Sequence, residues 1–517
     1  MKGNRFITTK MFVHEEYAKK KFVRPGAFCV GLLLLVFSSV GYAADRVVSD
    51  EDITNHIDAE LLFDQAVMGN AINVQTENGI VILSGSVTNL LAKDRAQRIA
   101  EDTVGVRSVV NRIEVNPFEI RSDRDVKKAV EDALLRDPAA DSYDVKTSVD
   151  NGVVTLTGKV DSWQEGQLCM NVAKSIKGVR GVKNEITIDY ETDRTDYEIQ
   201  QEVKAVLAND VRVDDALISV KVKDQKVTLS GTVGSLQEKR LAENDAWVAG
   251  VQSVNTDELN IKWWARDTMR RKDLYESRSD EEIQKALEDT YFYDPRVISF
   301  NPKITVHYGV VTLSGIVDNA LAKKAAAQDA HNTLGVVRVI NNLKVRPQTI
   351  PSNDKLERRV HTALSENPYI DQFDLTVSAY GGIIYLSGTV NTSWERNLAT
   401  RVAEGINGVV YVVNNINYEH QWVWKPDREI EQEVKDQLYW SPFVDQDNIQ
   451  VAVDNGVVTL TGTVGTWSER QTAEDDAYEG GAKDVINELN VTYKQVGPYY
   501  SYYGGIYGPY SYSYPIP

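Results

Sequence analysis

Side chains able to do covalent, metal or acid–base chemistry are few in this 517-residue chain. His56, His307, His331, His361 and His420 fall at unrelated places, and no His/Cys cluster forms around them. Two cysteines, Cys29 and Cys169, cannot build a disulfide scaffold or a Cys-rich zinc site. No paired carboxylates and no Ser/His/Asp arrangement stand out. The chain therefore reads as non-enzymatic, with no catalytic residue, metal ligand, cofactor or small-molecule substrate. Interfacial chemistry is better supplied. Trp263 and Trp264 precede Arg266, Arg270, Arg271 and Lys272. Indole rings beside cations suit the headgroup level of a bilayer; a charged linker between two halves is the plainer reading. Trp163, Trp394 and Trp467 stand where helices begin, either as exposed anchors or as staples against the helix start. The segment from Gly497 to Pro517 holds eight tyrosines among Gly, Pro and Ser and no charge, so it should not fold alone. It reads as a sticky interaction segment or a plain flexible end.

Stepping outward from these residues, the chain is built on a repeat, the feature to seek first in any sequence. The triplet Leu-Ser/Thr-Gly ends at Gly85, Gly158, Gly231, Gly315, Gly388 and Gly462, with spacings of 73, 73, 84, 73 and 74 residues. A second glycine follows each, at Gly105, Gly178, Gly250, Gly335, Gly408 and Gly481. An asparagine follows that, at Asn111, Asn184, Asn255, Asn341, Asn414 and Asn487.

Each copy reads as α-β-β-α-β. The first helix is capped by Ser49, Ser122, Thr195, Ser279 or Ser352 and carries an apolar stripe, as in Val126, Val130 and Leu134. A proline after Asp137, Asp294, Asn367 or Ser441 closes it. Asn78-Gly79, Asn151-Gly152, Asn455-Gly456 and Gly381-Gly382 predict type I′ hairpins. In the second strand Val154, Leu156 and Gly158 share the apolar face. The triplet glycine thus predicts close approach of a helix over a missing side chain; no phosphate-loop spacing surrounds it. Asn89, Ser162, Ser235, Asn319, Thr392 and Thr466 predict caps of the second helix. Glu165, Glu238, Glu395 and Glu469 complete capping boxes, and the second glycine is expected to end that helix. The predicted class is α+β: six units, each a three-stranded mixed sheet with two helices on one face. Linkers such as 117–121 and 347–351 are short, which restricts neighbours and predicts an elongated or curved array.

The chain is acidic, with a formal charge of −18, which opposes sequence-independent nucleic-acid binding. Lys19 to Lys21 and Arg24, an apolar run from Ala27 to Val40, and Gly41-Tyr42-Ala43 have the order of a signal peptide. The run is short for a membrane span, so cleavage after Ala43 is expected, with an uncleaved anchor as the alternative. Residues 1–43 carry seven Lys/Arg against two Glu, so removing them takes the charge to about −23. One thiol, Cys169, would remain, packed as a small apolar residue.

The helix, the hairpin ending in Leu-Ser/Thr-Gly-x-Val, the capped second helix and Gly-Val-x-x-Val-x-Asn, shown in full from Gly105 to Asn111, resemble the BON domain. The expected division is a signal peptide at 1–43, read from its own residues, then units resembling this domain at 49–116, 122–190 and 194–262. A basic, Trp-containing linker at 263–278 and units at 279–346, 352–419 and 426–494 follow, with a tail at 495–517. The resemblance implies an exported protein of the Gram-negative periplasm that binds phospholipid surfaces or other envelope components in stress or envelope integrity. A periplasmic chaperone or spacer that binds proteins is the alternative. No catalytic residue comes with the family, and six copies exceed its usual one to three.

Overall fold

The computed structural model describes residues 48–67, 71–140, 144–190, 194–268, 278–418 and 425–491. The expected export segment, Arg270, Arg271, Lys272 and the tyrosine-rich tail lie outside them, as does the side chain of Arg266. Six units follow one another, numbered 1 to 6 in chain order. Unit 2 shows the plan: helix Asp123–Leu134, strands Asp144–Asp150 and Val153–Val160, helix Trp163–Lys174 and strand Gly181–Ile188. Its sheet runs in sequence order, with the hairpin antiparallel and the second and third strands parallel. All six sheets share this order, as the sequence pattern predicts. One face of each sheet is buried. In unit 2, Val154 and Leu156 meet Val126, Val130 and Leu134 from the first helix and Leu168, Cys169 and Ala173 from the second.

Local chemistry holds this plan. Ser49, Thr195 and Ser279 close full capping boxes on first helices, while Ser352 makes no side-chain cap. All six expected caps of the second helices accept a backbone N–H. Of the four expected boxes, Glu165 and Glu395 reach the cap residue. Glu238 and Glu469 instead take the N–H of Gly234 and Gly465, and with the other oxygen those of Asp214 and Asp445.

All six hairpin turns place two residues at positive φ, including Asp224-Gln225 and Tyr308-Gly309, where the sequence carries no Asn-Gly signal. The reason lies one element earlier. The first residue of the first helix points its carboxylate at the turn. Asp123 accepts from Asn151 N–H at 2.9 Å and Gly152 N–H at 2.8 Å. Asp50, Asp196, Asp280 and Asp427 do the same in their units, and Asn353 takes one bond from Gly381. Asp123→Ala is expected to lower the stability of unit 2 by about 1–2 kcal/mol, the scale of losing hydrogen bonds to a charged group at the surface. Asp123→Asn should fall between, as Asn353 does the task with one bond. Equal thermal unfolding of wild type and Asp123→Ala would refute the turn-bracing role.

The repeated asparagine is likewise a brace. Asn414 donates through Nδ2 to Arg396 C=O at 2.8 Å and accepts from Ile416 N–H at 2.9 Å, tying the third strand to the second helix. Asn111, Asn341 and Asn487 repeat both bonds.

The triplet glycine has a different reason from the expected helix contact. Gly158 has φ +134°, and a Cβ there would stand 2.0 Å from the carbonyl oxygen of Asp144, on the neighbouring strand of the hairpin. Gly85, Gly231 and Gly462 meet the same carbonyl at 2.0–2.1 Å. The obstacle is a backbone carbonyl at the start of the first strand or just before it, as with Leu217 and Asn448, and not a packed α-helix. The second glycines also sit later than expected: helix Trp163–Lys174 is capped by Ser175, and Gly178 follows in the loop at φ +91°. Only in unit 6 does the glycine, Gly481, directly follow the cap residue, Gly480.

The units do not follow one another as a single open row. Unit 1 touches unit 6: Arg95 bonds Glu479 at 2.7 Å, and His56 stacks on Trp440 at 4.4 Å. Unit 2 and unit 5 exchange backbone bonds, Lys177 N–H to Glu366 C=O and Asn407 N–H to Arg136 C=O, at equivalent places in the repeat. Units 3 and 4 bridge at Asp210 and Thr333, with Leu334 N–H donating to Asn209 C=O. The second half therefore folds back on the first. Within the halves, Lys174–Asp94 joins units 2 and 1 and Lys324–Glu404 joins units 4 and 5. The physical reason is that the ends of the helices carry aromatic rings, unpaired amides and complementary charges that only another unit can cover.

Candidate binding sites

Two of the three tryptophans at helix starts pair with rings of other units, and the third packs within its own. Trp163 lies parallel to Trp247 of unit 3, with ring centroids 5.4 Å apart. Trp467 stacks on His331 of unit 4 at 4.8 Å, with the Arg470 guanidinium over its ring. Trp394 meets Tyr369 edge-on within unit 5. The segment after unit 3 forms a short helix, Trp263–Thr268, on which Ala265 is buried and Trp264 is 45% exposed. Trp264 is thus available to a surface. Trp163, Trp394 and Trp467 thus sit in three different units, against Trp247, Tyr369 and His331, and Trp264 on the helix that follows unit 3.

Burial tunes the ionisable groups at the unit junctions. His56 and His331 are each pushed down to about 4 by desolvation, so both are neutral rings that stack. At the junction of units 1 and 6, burial pushes Glu60 up to about 7 and Asp102 up to about 7, and raises Asp476 well above the usual carboxylate range. The Cys169 thiol is buried, and desolvation moves it up to about 12, which leaves it unreactive. Among the described residues no group of three His, Cys, Asp or Glu side chains is placed to hold a metal ion, and no helix is long and apolar enough to cross a membrane.

Where units 2, 3 and 4 meet, the structure leaves a cavity of about 350 Å³. The start of the second helix of unit 2 supplies Trp163, Gln164 and Gln167; unit 3 supplies Arg212, Asn244 and Trp247; unit 4 supplies Tyr293, Arg296 and Asp329. Sequence reading missed this site. Its residues come from helix ends far apart in the chain, and only the folding back of unit 4 onto unit 3 assembles them.

Six compact αββαβ modules with short connections define a tandem-module protein. All six match the BON domain, over residues 49–117, 122–190, 195–262, 279–347, 352–419 and 426–493, and the chain belongs to the BON-domain family. It is 30% identical to the osmotically-inducible protein Y of Escherichia coli (strain K12), over 27% of this chain and 72% of that protein. It is 31% identical to the outer membrane lipoprotein DolP of Haemophilus influenzae, over 28% of this chain and 81% of that one. A 21 kDa hemolysin of Actinobacillus pleuropneumoniae is 28% identical over 27% and 74%.

Proposed function

We propose that the protein is a non-catalytic, multivalent binding protein of the bacterial envelope, exported to the periplasm, that engages phospholipid surfaces or other envelope components under stress. The observation that carries this reading is the six-fold BON match, together with relatives named as an osmotically-inducible protein and an outer membrane lipoprotein. Several weak contacts on one chain raise the overall affinity without any deep pocket. The acidic chain is repelled by anionic lipid, so contact has to be local. The exposed Trp264, next in sequence to Trp263, Arg266, Arg270, Arg271 and Lys272, is the contact this reading selects. Each cation near an anionic surface contributes about 1 kcal/mol within a Debye length.

The test is co-sedimentation of residues 44–517 with phosphatidylcholine vesicles, with and without phosphatidylglycerol, across a salt series. The expected result is binding that rises with anionic lipid and falls with salt. It should be lost when both tryptophans become Ala and the four cations become Gln. Unchanged binding by that variant would remove the segment from the mechanism. Absence of binding by both chains would replace the lipid reading with a protein partner.

A further inference from the structure

Of the six sheets, that of unit 5 departs from the rest on its outer face. Its strands Thr376–Tyr380, Ile383–Val390 and Tyr411–Tyr418 turn Ala379, Ile384, Leu386 and Val412 into the core, so the alternate residues face away from the two helices. On that outer face stand Tyr380, Tyr385 and Tyr411, one from each strand, 73%, 40% and 63% exposed. Tyr380 and Tyr411 flank Ile383 in one row across the sheet, and Tyr385 lies in the next row between Ser378 and Val413. Two interstrand steps separate Tyr380 from Tyr411, roughly 10 Å. Among the described residues none of the three rings stacks on another ring, and none of their hydroxyls makes a hydrogen bond.

The fold does not require these rings, because five sister units build the same sheet without them. Strand register puts Glu77, Asp150, Lys223, His307 and Asp454 where unit 5 has Tyr380. It puts Ser108, Gly181, Ser253, Arg338 and Asp484 where unit 5 has Tyr411. Ile82 and four threonines stand in the place of Tyr385. The unit 5 face is also uncharged. Thr376, Ser378, Ser387 and Asn415 are exposed beside the tyrosines, with no carboxylate and no cation on the face, whereas every sister face carries at least one of the charges just named.

Charge complementarity narrows the partner. A nucleic acid or an anionic lipid is held by cations, and a charged peptide by opposite charge; this face offers neither. An aliphatic partner would bury the hydroxyls and amides set between the rings without replacing their hydrogen bonds. Sugar rings match both parts of the face. Their apolar C–H sides lie on tyrosine rings, and their hydroxyls exchange hydrogen bonds with Ser, Thr and Asn side chains, which donate and accept. A flat sheet with rings in two rows gives room for several sugars in line rather than a pocket for one. A β-1,4-linked chain is a flat ribbon and fits such a surface; an α-1,4-linked chain coils away from it.

The geometry points to a docking face for an extended, uncharged β-1,4-linked glycan on the outer sheet of unit 5, with Tyr380, Tyr385 and Tyr411 as its platform. This goes beyond the envelope reading and does not rest on it, since soluble oligosaccharide is assayed without vesicles.

Isothermal titration of residues 44–517 with chitohexaose and cellohexaose tests it, with maltohexaose as the coiled control and the hexamer of glucosamine as the charged one. At least one of the two flat neutral hexamers should bind saturably, and more tightly than its own dimer; both controls should bind more weakly. Replacing Tyr380→Asp, Tyr385→Thr and Tyr411→Ser together installs residues that sister units carry at the same places, so the fold should be kept, as circular dichroism would check. Affinity should fall by about tenfold or more, the scale of losing several aromatic contacts. Should the triple variant unfold, Tyr411→Ser alone, on an edge strand, carries the test with a smaller loss of the same sign. Failure of both flat hexamers to bind, equal binding of either control, or full affinity in the folded variant would overturn the proposal. Loss of vesicle binding in the variant would give the face to lipid instead, and a wild-type dimer that the variant abolishes in sedimentation equilibrium would give it to a second copy of the chain; either result also overturns it.

Discussion

Gly158→Ala is expected to cost unit 2 about 3–5 kcal/mol. Two effects combine. A φ of +134° is a conformation that L-residues hold only at a strain of about 1–3 kcal/mol. A Cβ placed 2.0 Å from the Asp144 carbonyl oxygen must also force the hairpin apart, at an overpacking cost of about 1–3 kcal/mol. Gly315 separates the two. Its φ is +125°, but the nearest atom to its Cβ position is 3.9 Å away. Gly315→Ala should therefore carry the backbone term alone, about 1–3 kcal/mol. Calorimetric unfolding of the two full-length variants checks this. Equal losses would show that the carbonyl collision contributes nothing.

The second large effect is on pH. Glu60 and Asp102 ionise near 7 in the folded protein and Asp475 near 6, each raised chiefly by burial. In the unfolded chain such groups ionise near 4. Between those values the folded state holds protons that the unfolded state has lost, so stability falls as pH rises. His56 and His331 act in the opposite sense. Lowered to about 4 from about 6.5, they bind protons more readily when unfolded, so stability rises with pH across that window. The two sets oppose each other up to about pH 6.5. Asp476, raised further still, adds to the fall throughout; above pH 6.5 the histidines are silent and no longer offset the carboxyl groups. The carboxyl groups outnumber the histidines, so the expected profile falls from pH 5 to pH 8, by on the order of 2–3 kcal/mol between pH 6.5 and 8. Glu60→Gln keeps a hydrogen-bonding group opposite Gln437 and should flatten the fall. A midpoint that rises from pH 6.5 to 8 would refute this account of the junctions.

Much of the unit was legible in the sequence because its signals are local. Asn151-Gly152 specifies a turn through backbone sterics, Ser162 and Glu165 specify a helix start through hydrogen bonds, and the Val154, Leu156, Gly158 alternation specifies which face is buried. The reason for the glycine was not legible. Alternation places Gly158 on a face but gives neither its φ nor the carbonyl of Asp144 beside it. The brace from Asp123 to the turn was hidden for a different reason: an acid at a helix start already satisfies the dipole, so nothing in the sequence demands a second task. The cavity and the folding back were hidden most deeply. Asp210, Asp245 and Asp329 look like solvated helix charges, and a five-residue linker such as 117–121 serves a compact arrangement as well as an extended one.

Two ion pairs described above have a consequence for how the chain finds its fold. Six alike modules on one polypeptide can mispair, since each offers nearly the same surface to every other. Lys174 of unit 2 meets Asp94 of unit 1, while at the corresponding places in the second half Glu404 of unit 5 meets Lys324 of unit 4. The bridge is the same and the signs are exchanged. A unit 2 that docked on unit 4 would set Lys174 against Lys324, and a unit 5 that docked on unit 1 would set Glu404 against Asp94. Both wrong pairings are repulsive, and both native ones attract. The exchange works as an address label, sorting neighbours by charge where shape alone would not distinguish them.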